Sequence, residues 1–322
     1  MFMIYINGKE FSYMKKIVIG ICTYKRNDLL DICLNYLDKM VLPAGISVEI
    51  VIVDNSPEAM AKTLVETKKL GHGIKLHYFS FLGKGIAAVR NKVLTEVLKL
   101  NPDYIAFTDD DQYPCENWLM ELYTKLTETG ADVVSGPVLP SFINTNFEPL
   151  AVPDWIKNNS RFEGKSKRAD GVLCNTASTN NVLLKTEILD KMDYWFDESY
   201  LKMTGEDIDF FDRIHELGFK IVWCKNAAVY EIVDPKRCTI KFLWRRNYNN
   251  GYLKIYNKKK KNCLKPIHII TSFSNLILFL IVLPLSIFCG LTVFFEMFGK
   301  LAFSLGSFVS LFKSKALVHY KD

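Results

Sequence analysis

Three consecutive acids, Asp109-Asp110-Asp111, follow the apolar run Tyr104–Thr108. In an extended chain, side chains two residues apart share a face, so Asp109 and Asp111 are expected to converge while Asp110 points away. Two carboxylates held together repel unless a cation lies between them. Hard oxygen ligands favour Mg2+ or Mn2+, which bind few protein carboxylates and complete their shell with substrate phosphates. A solvated acidic turn ahead of Pro114 is the competing reading, and the buried-type strand before the acids favours the metal. Asp54 ends another apolar run, Val48–Val53, and precedes Asn55-Ser56-Pro57. A carboxylate there can accept hydrogen bonds from a base or ribose, or close an Asx turn; the local sequence supports both equally. Glu206-Asp207 opens a helix, with capping-box spacing between Thr204 and Asp207. A carboxylate fixed at that position can also act as a general base toward a hydroxyl. Ile208, Phe211, Ile214 and Leu217 are expected to form the buried stripe that fixes it. Arg90 and Asn91 suit a nucleotide contact or a solvent-facing pair. Gly83-Lys84-Gly85-Ile86-Ala87-Ala88 matches GxGxxA, but after the third strand rather than the first, which makes it a weak dinucleotide fingerprint. Arg245 and Arg246 suit bidentate phosphate contacts; lipid headgroups compete for the same pair.

Placing these residues requires a sheet. Strands are expected at Ile17–Cys22, Val48–Val53, Lys75–Phe79, Tyr104–Thr108 and Val133–Leu139, with helices at Asn27–Leu37, Ile86–Leu98 and Trp118–Leu126. Such alternation predicts an α/β fold with a mostly parallel sheet flanked by helices. Ligands bind outside the carboxyl ends of strands in such sheets, where Asp54 and Asp109–Asp111 both fall. Residues 141–171 read as a long irregular loop, of the kind that often serves as a lid. Thr179–Leu184, Lys220–Cys224 and Ala228–Val233 are extended. Asp207–Leu217 is a helix, and another is expected over Thr239–Asn250, ended by Gly251.

From Ile267 to Phe295 there is no Asp, Glu, Lys or Arg, longer than the ~20 apolar residues a spanning helix needs. Pro284 interrupts it, and Phe298–Phe312 is amphipathic. One span plus an interfacial helix fits, as does a re-entrant hairpin, which Lys313 and Lys315 favour. The Lys258–Lys261 run just before it points to an anionic membrane surface, to the cytoplasmic side, and not to nucleic acid. The formal charge is +6 and 49 % of residues are apolar. The eight cysteines include no CxxC pair, which removes a zinc ribbon and fits reduced, structural thiols. Met14-Lys15-Lys16 precedes the first clean strand, so Met14 is the expected native start, with residues 1–14 an extension or an edge hairpin.

In order along residues 15–255, these segments resemble family 2 glycosyltransferases. Ile17–Arg26 with Thr23-Tyr24-Lys25-Arg26 is similar to their first strand and nucleotide loop. Val48–Asn55 resembles the second strand, and Ala88-Val89-Arg90-Asn91 the next helix. Asp109-Asp110-Asp111 is similar to the DxD motif, Thr179–Leu184 to the segment lining the sugars, and Gly205-Glu206-Asp207 to the ED motif. Tyr230 through Gly251 resembles a block in polysaccharide-assembly members such as succinoglycan-type glucosyltransferases, with Glu231 where many carry His. The resemblance implies a GT-A fold over 15–255, with 256–322 a basic juxtamembrane segment and membrane-associated helices. It implies a nucleotide-sugar site of Thr23, Tyr24, Arg26, Asp54, Arg90, Asn91, Asp109 and Asp110. It further implies Mn2+ or Mg2+ on Asp109 and Asp111, a sugar pocket with Asn180, Asn181 and Glu206, and Arg245 and Arg246 on the diphosphate. Asp207 would be the base of an inverting transfer of a hexose, from a UDP-sugar by resemblance, to a lipid-linked saccharide. Membrane lipids are the other expected partners. A nucleotidyltransferase is disfavoured by the absence of Gly in Thr23–Arg26, an NAD enzyme rests on GxGxxA alone, and an inactive scaffold conflicts with the retained acids.

Overall fold

The computed structural model describes residues 3–6, 9–12, 14–157, 168–200 and 205–313. β1 (Met3–Ile6) and β2 (Lys9–Ser12) pair antiparallel as a sheet of their own. β3 (Lys15–Thr23), α1 (Asn27–Asp38), β4 (Ile46–Asp54), α2 (Lys62–Thr67), β5 (Lys75–Ser80), α3 (Ile86–Leu98) and β6 (Tyr104–Thr108) follow in alternation. Next come β7 (Gln112–Pro114), α4 (Trp118–Thr129), β8 (Val133–Ser135), β9 (Val138–Ser141) and the single turn α5 (Asp154–Lys157). β10 (Leu173–Cys174), β11 (Asn181–Lys185), α6 (Glu206–Glu216), β12 (Ile221–Trp223) and β13 (Val229–Ile232) complete the α/β part. Three long helices close the described chain: α7 (Ile240–Lys260), α8 (Pro266–Ser286) and α9 (Leu291–Phe312).

The eight-stranded sheet has the order β10-β12-β8-β11-β6-β3-β4-β5, and all strands run the same way except β10 and β11. Both faces are covered, as a parallel sheet requires. Ile17, Ile19 and Ile21 of β3 enter one core with Leu30, Leu34 and Trp118, while Val18 enters the other with Val93, Phe107 and Phe210. The chain lays down β3, β4 and β5 in one direction and then returns to place β6 on the far side of β3. This reversal is the switch point at which doubly wound sheets open a crevice for ligands. Thr23–Arg26 and Asp109–Asp111 leave β3 and β6 at its mouth.

Val133–Leu139, expected as one strand, is two. Gly136-Pro137 separates β8 from β9, and β9 joins β13 and β7 in a three-stranded sheet. The break has a packing cause: a Cβ on Gly136 would collide with the Ala227 carbonyl.

The chain forms two compact units, Met1–Ser141 with Lys165–Ile232, and Phe142–Gly164 with Val233–Asp322. In the second, α7 runs straight through Gly251 to Lys260 rather than ending there. Gly251 meets the Phe303 carbonyl of α9, and Gly306 of α9 meets the Tyr248 carbonyl of α7. Here the glycines permit close helix approach rather than a stop. The apolar segment folds back at Gly290 (φ 100°) into the antiparallel pair α8 and α9, with Pro284 near the end of α8. Both are long and apolar enough to cross a membrane. Lys315 lies outside the described residues.

Candidate active site

The site is built where β3 and β6 end. Thr23 Oγ1 donates to Asp110 Oδ2 at 2.8 Å. Arg26 Nη1 donates to Asp110 Oδ1 at 3.1 Å and to Asp111 Oδ2 at 3.0 Å. The acids are not extended. Gln112 N donates to the Asp109 carbonyl at 3.3 Å, and the buried Gln112 Oε1 accepts from Asp109 N at 3.1 Å and Thr108 Oγ1 at 3.0 Å. In this turn the alternation expected of a strand does not apply. Asp110 therefore shares a guanidinium nitrogen with Asp111 instead of pointing away.

The third acid is reached from another direction. Arg90, on the second turn of α3, is buried; its Nη1 donates to Glu206 Oε1 and its Nη2 lies 3.9 Å from Asp109 Oδ1. One side chain thus joins the acids after β6 to the acids that open α6. Asp207, next along, is half-buried; its Oδ2 accepts from Ser178 Oγ at 2.6 Å and its Oδ1 from Ile208 N at 2.8 Å. Gly205, at φ 111°, starts α6 in a conformation that favours glycine. The expected capping partner Thr204 lies outside the described residues. The buried stripe of α6 is Phe210, Phe211 and Ile214; Ile208 and Leu217 face solvent, because Glu206 takes the inward position at the helix start.

Crowding shifts these groups. Desolvation and the Asp111, Asp110 and Glu231 carboxylates, against the pull of Arg90, raise the Asp109 carboxyl to about 7, although 38 % of its side chain remains exposed. Burial, with Asp111 adding to it and Arg26 opposing, raises Asp110 to about 6. Burial also raises Glu206, opposed by Arg90 and reinforced by Asp207. Burial works against the charge on Arg90, but Glu206, Asp109 and Asp207 more than offset it and hold the guanidinium above its ordinary range.

Asp109 and Asp111 are the residues that could hold a divalent cation here, by two carboxylates at most. Among the described residues, Asp110 and Asp111 pair with Arg26, and Asp109 and Glu206 with Arg90. A guanidinium nitrogen already bridges two of the carboxylates, and burial with the neighbouring carboxylates raises Asp109. Among the described residues no group of three or more His, Cys, Asp or Glu side chains is placed to hold a metal ion. Such a site suits an ion held by one or two carboxylates with its remaining ligands from substrate phosphates.

Other expected site residues are committed elsewhere. Asp54 is fully buried: Oδ1 accepts from Ser56 N (2.8 Å) and Ser56 Oγ (2.5 Å), and Oδ2 from Ala61 N (2.9 Å) and Tyr78 Oη (3.1 Å). A carboxylate has about four acceptor positions, and four donors of this chain already face this one, two of them in the Asx-turn pattern from Ser56. Asn91 pins Phe196, donating to its carbonyl and accepting from its N–H, each at 2.9 Å. Asn181 is fully buried, accepting from Trp118 Nε1 at 2.8 Å and donating to the Pro137 and Ala227 carbonyls at 2.9 and 2.7 Å; it ties strands together rather than lining a pocket. Asn180 is half-buried before β11 and Tyr24 is exposed beyond β3. Arg245 and Arg246 belong to α7 of the second unit. The GxGxxA glycines follow β5, an edge strand, away from the switch point.

Several contributors went unnoticed in the sequence. Gln112 holds the acidic turn, and Ser178 holds Asp207. β13 pairs with β7 so that Glu231 stands opposite Gln112, and Ile232 N donates to the Asp111 carbonyl at 2.9 Å. For Gln112, adjacency to the acids was the available signal. Glu231, marked in the sequence only through the resemblance, is brought there by strand pairing across more than a hundred residues.

Comparison with known proteins gives the family. Glycosyl transferase family 2 matches residues 18–192. The succinoglycan biosynthesis protein ExoM of Rhizobium meliloti is 30 % identical over 233 residues, 72 % of each chain. The chondroitin synthase of Pasteurella multocida is 26 % identical over 232 residues, 63 % of this chain and 23 % of that one. Among solved structures, S. aureus TarS matches with a TM-score of 0.50 at 20 % identity, over 72 % of this chain and 39 % of that chain. Its 1–349 form in complex with UDP-GlcNAc gives 0.50 at 17 %, over 73 % and 66 %. At such identities the TarS likeness is one of fold. Taken with the family match over more than half its length, the switch-point acids place the chain in glycosyl transferase family 2, with a GT-A-like mixed sheet.

Proposed function

We propose that the first unit transfers a hexose from a UDP-sugar to a lipid-linked saccharide, with inversion, in the assembly of a cell-surface polysaccharide. The observation that carries the reading is Arg90: by holding Glu206 beside Asp109 it joins a cation-binding cluster to a candidate base. The role of ExoM in succinoglycan biosynthesis supports the polysaccharide, and the TarS complexes with UDP and UDP-GlcNAc support the donor class. The Lys258–Lys261 run supports the cytoplasmic face of a membrane.

Thr23, Tyr24 and Arg26 border the nucleotide. Asp109 and Asp111 would hold Mn2+ or Mg2+, which when bound stabilises charge on the leaving diphosphate. Asp207 has two of its roughly four acceptor positions engaged, so it can take a hydrogen bond from the acceptor hydroxyl. It then removes that proton as the oxygen attacks the anomeric carbon. Attack on the face opposite the departing diphosphate inverts the centre in one displacement. Glu206, held by Arg90, has a buried Oε2 without a partner, suited to receiving a sugar hydroxyl.

The test incubates full-length protein and Mn2+ with UDP-, GDP- and dTDP-sugars and a lipid-linked oligosaccharide fraction. Release of nucleoside diphosphate, with a product of inverted anomeric configuration, is expected from one UDP-sugar. Preference for another nucleotide, or retained configuration, rejects the corresponding part of the proposal.

A further inference from the structure

The second unit has a feature that the expected span or re-entrant hairpin does not accommodate. α9 packs on both α7 and α8, while α7 and α8 make few contacts with each other. The three helices therefore form a layer with α9 in the middle. α7 and α9 run parallel and in register along their length: Trp244 lies against Phe298 at one end (rings tilted, 4.5 Å between centroids), and Ser307 Oγ donates to the Gly251 carbonyl at 3.1 Å in the middle. At the other end Lys259 Nζ donates to the carbonyls of Ser310, Leu311 and Lys313 at 2.9, 3.2 and 2.9 Å, closing the C-terminus of α9. Gly251 and Gly306 bring the two backbones together. This pairing holds α7 and α9 as one body.

The outer helices differ in chemistry. α8 turns Ile270, Phe273, Ile277, Ile281 and Leu285 outward, and Phe288 at the bend is 87 % exposed. α7 is polar along its length: Lys241, Arg245, Asn250, Lys254 and Lys260 are exposed. Both helices have 21 residues, about 31 Å at 1.5 Å per residue, which matches the ~30 Å hydrocarbon core. If α8 stood across a bilayer, α9 and the body it forms with α7 would stand with it. Arg245, Arg246 and Lys254 would then lie in hydrocarbon, where isolated charges are strongly disfavoured.

We propose that the second unit binds an anionic phospholipid bilayer in its plane and does not cross it. The open face of α8 sinks roughly 5–10 Å into the boundary between headgroups and acyl chains. α9 supports it, and α7 keeps its charges in water. Lys258, Lys260, Lys261 and Lys265, around the α7–α8 connection, meet anionic headgroups. The apolar breadth of α8 and the basic cluster beside it are complementary to such a surface, which satisfies both at once.

The experiment adds full-length protein to preformed vesicles of phosphatidylcholine and phosphatidylglycerol. On the unmodified chain, a membrane-impermeant maleimide reads Cys263, in the α7–α8 connection, and Cys289, at the bend; both are exposed thiols. Both are expected to react from the side of addition. Protection of Cys289 until detergent is added overturns the proposal. Spin labels at Ile270→Cys, Ile277→Cys and Leu285→Cys, with Cys263 and Cys289 replaced by Ser, are expected to report one common shallow depth, and Arg245→Cys an aqueous one. A depth that increases steadily along α8, a lipid-buried label at position 245, or failure of the unmodified chain to float with the vesicles overturns it equally.

Discussion

Arg90 is buried among carboxylates, and its removal strands a charge. Arg90→Met leaves Glu206 buried without its counterion, which costs about 3–5 kcal/mol; thermal unfolding is expected to show the loss, and the double variant Arg90→Met/Glu206→Gln to recover part of it. Additive losses would mean that the pair is not coupled. Asp207→Asn keeps the size of the side chain but not its basicity. It is expected to lower turnover by about 10²–10⁴-fold with UDP affinity unchanged, checked by single-turnover kinetics beside calorimetric titration; retained turnover would remove Asp207 from the base role. Asp54→Asn tests the opposite kind of assignment. It turns a carboxylate with four donors into a group with two N–H donors of its own, costing about 1–3 kcal/mol of stability. Donor affinity of the folded fraction should not change, and a selective loss of UDP binding would restore the base-contact role.

Elements decide how these residues point. Had Asp109–Asp111 continued β6, Asp109 and Asp111 would share a face. The Gln112 side chain instead closes a turn on Thr108 and Asp109, and all three acids surround the mouth of the switch point. α6 shows the same influence of context: its inward face begins at Glu206, so the stripe keeps Phe211 and Ile214, gains Phe210 and loses Ile208 and Leu217. Helix propensity favours replacing Gly251, by about 1 kcal/mol for alanine in a helix interior. The Phe303 carbonyl reverses the sign. Gly251→Ala is therefore expected to destabilise the fold by the about 1–3 kcal/mol typical of overpacking and so to lower the melting temperature. An increase would show that α7 and α9 can move apart at little cost.

For the whole molecule the controlling quantity is charge. The site collects more carboxylates than guanidinium groups, although the chain carries a formal charge of +6. Chelation with EDTA is expected to abolish transfer and weaken UDP binding, and added Mn2+ or Mg2+ to restore both; Asp111→Ala should blunt the restoration. Full activity in EDTA would rule out the metal. The basic residues of the second unit, Lys241 to Lys265, lie far along the chain from these acids, so net charge alone would have hidden both features.

Periodicity and strand-end chemistry were enough to read the alternating α/β order, the helices at Asn27 and Ile86, the strand Tyr104–Thr108 and the acidic segments, because they depend on residues close in sequence. Side-chain commitments were not readable in this way. Asn181 has a residue type that suits ligand contacts, yet Trp118, Pro137 and Ala227, all remote in sequence, use its hydrogen-bonding positions; at Asp54 the local Ser56 and Ala61 do most of this, joined by the remote Tyr78. The same holds for Gly251, which marks a helix end locally and a helix contact in three dimensions. Arg90, Asp109 and Glu206 could be proposed from the chain one by one, but their meeting depends on where the sheet reverses. Local pattern determines what an element is, since that follows from burial period and backbone preference. Which of its groups remain available for chemistry is settled only when distant elements pack and claim the rest.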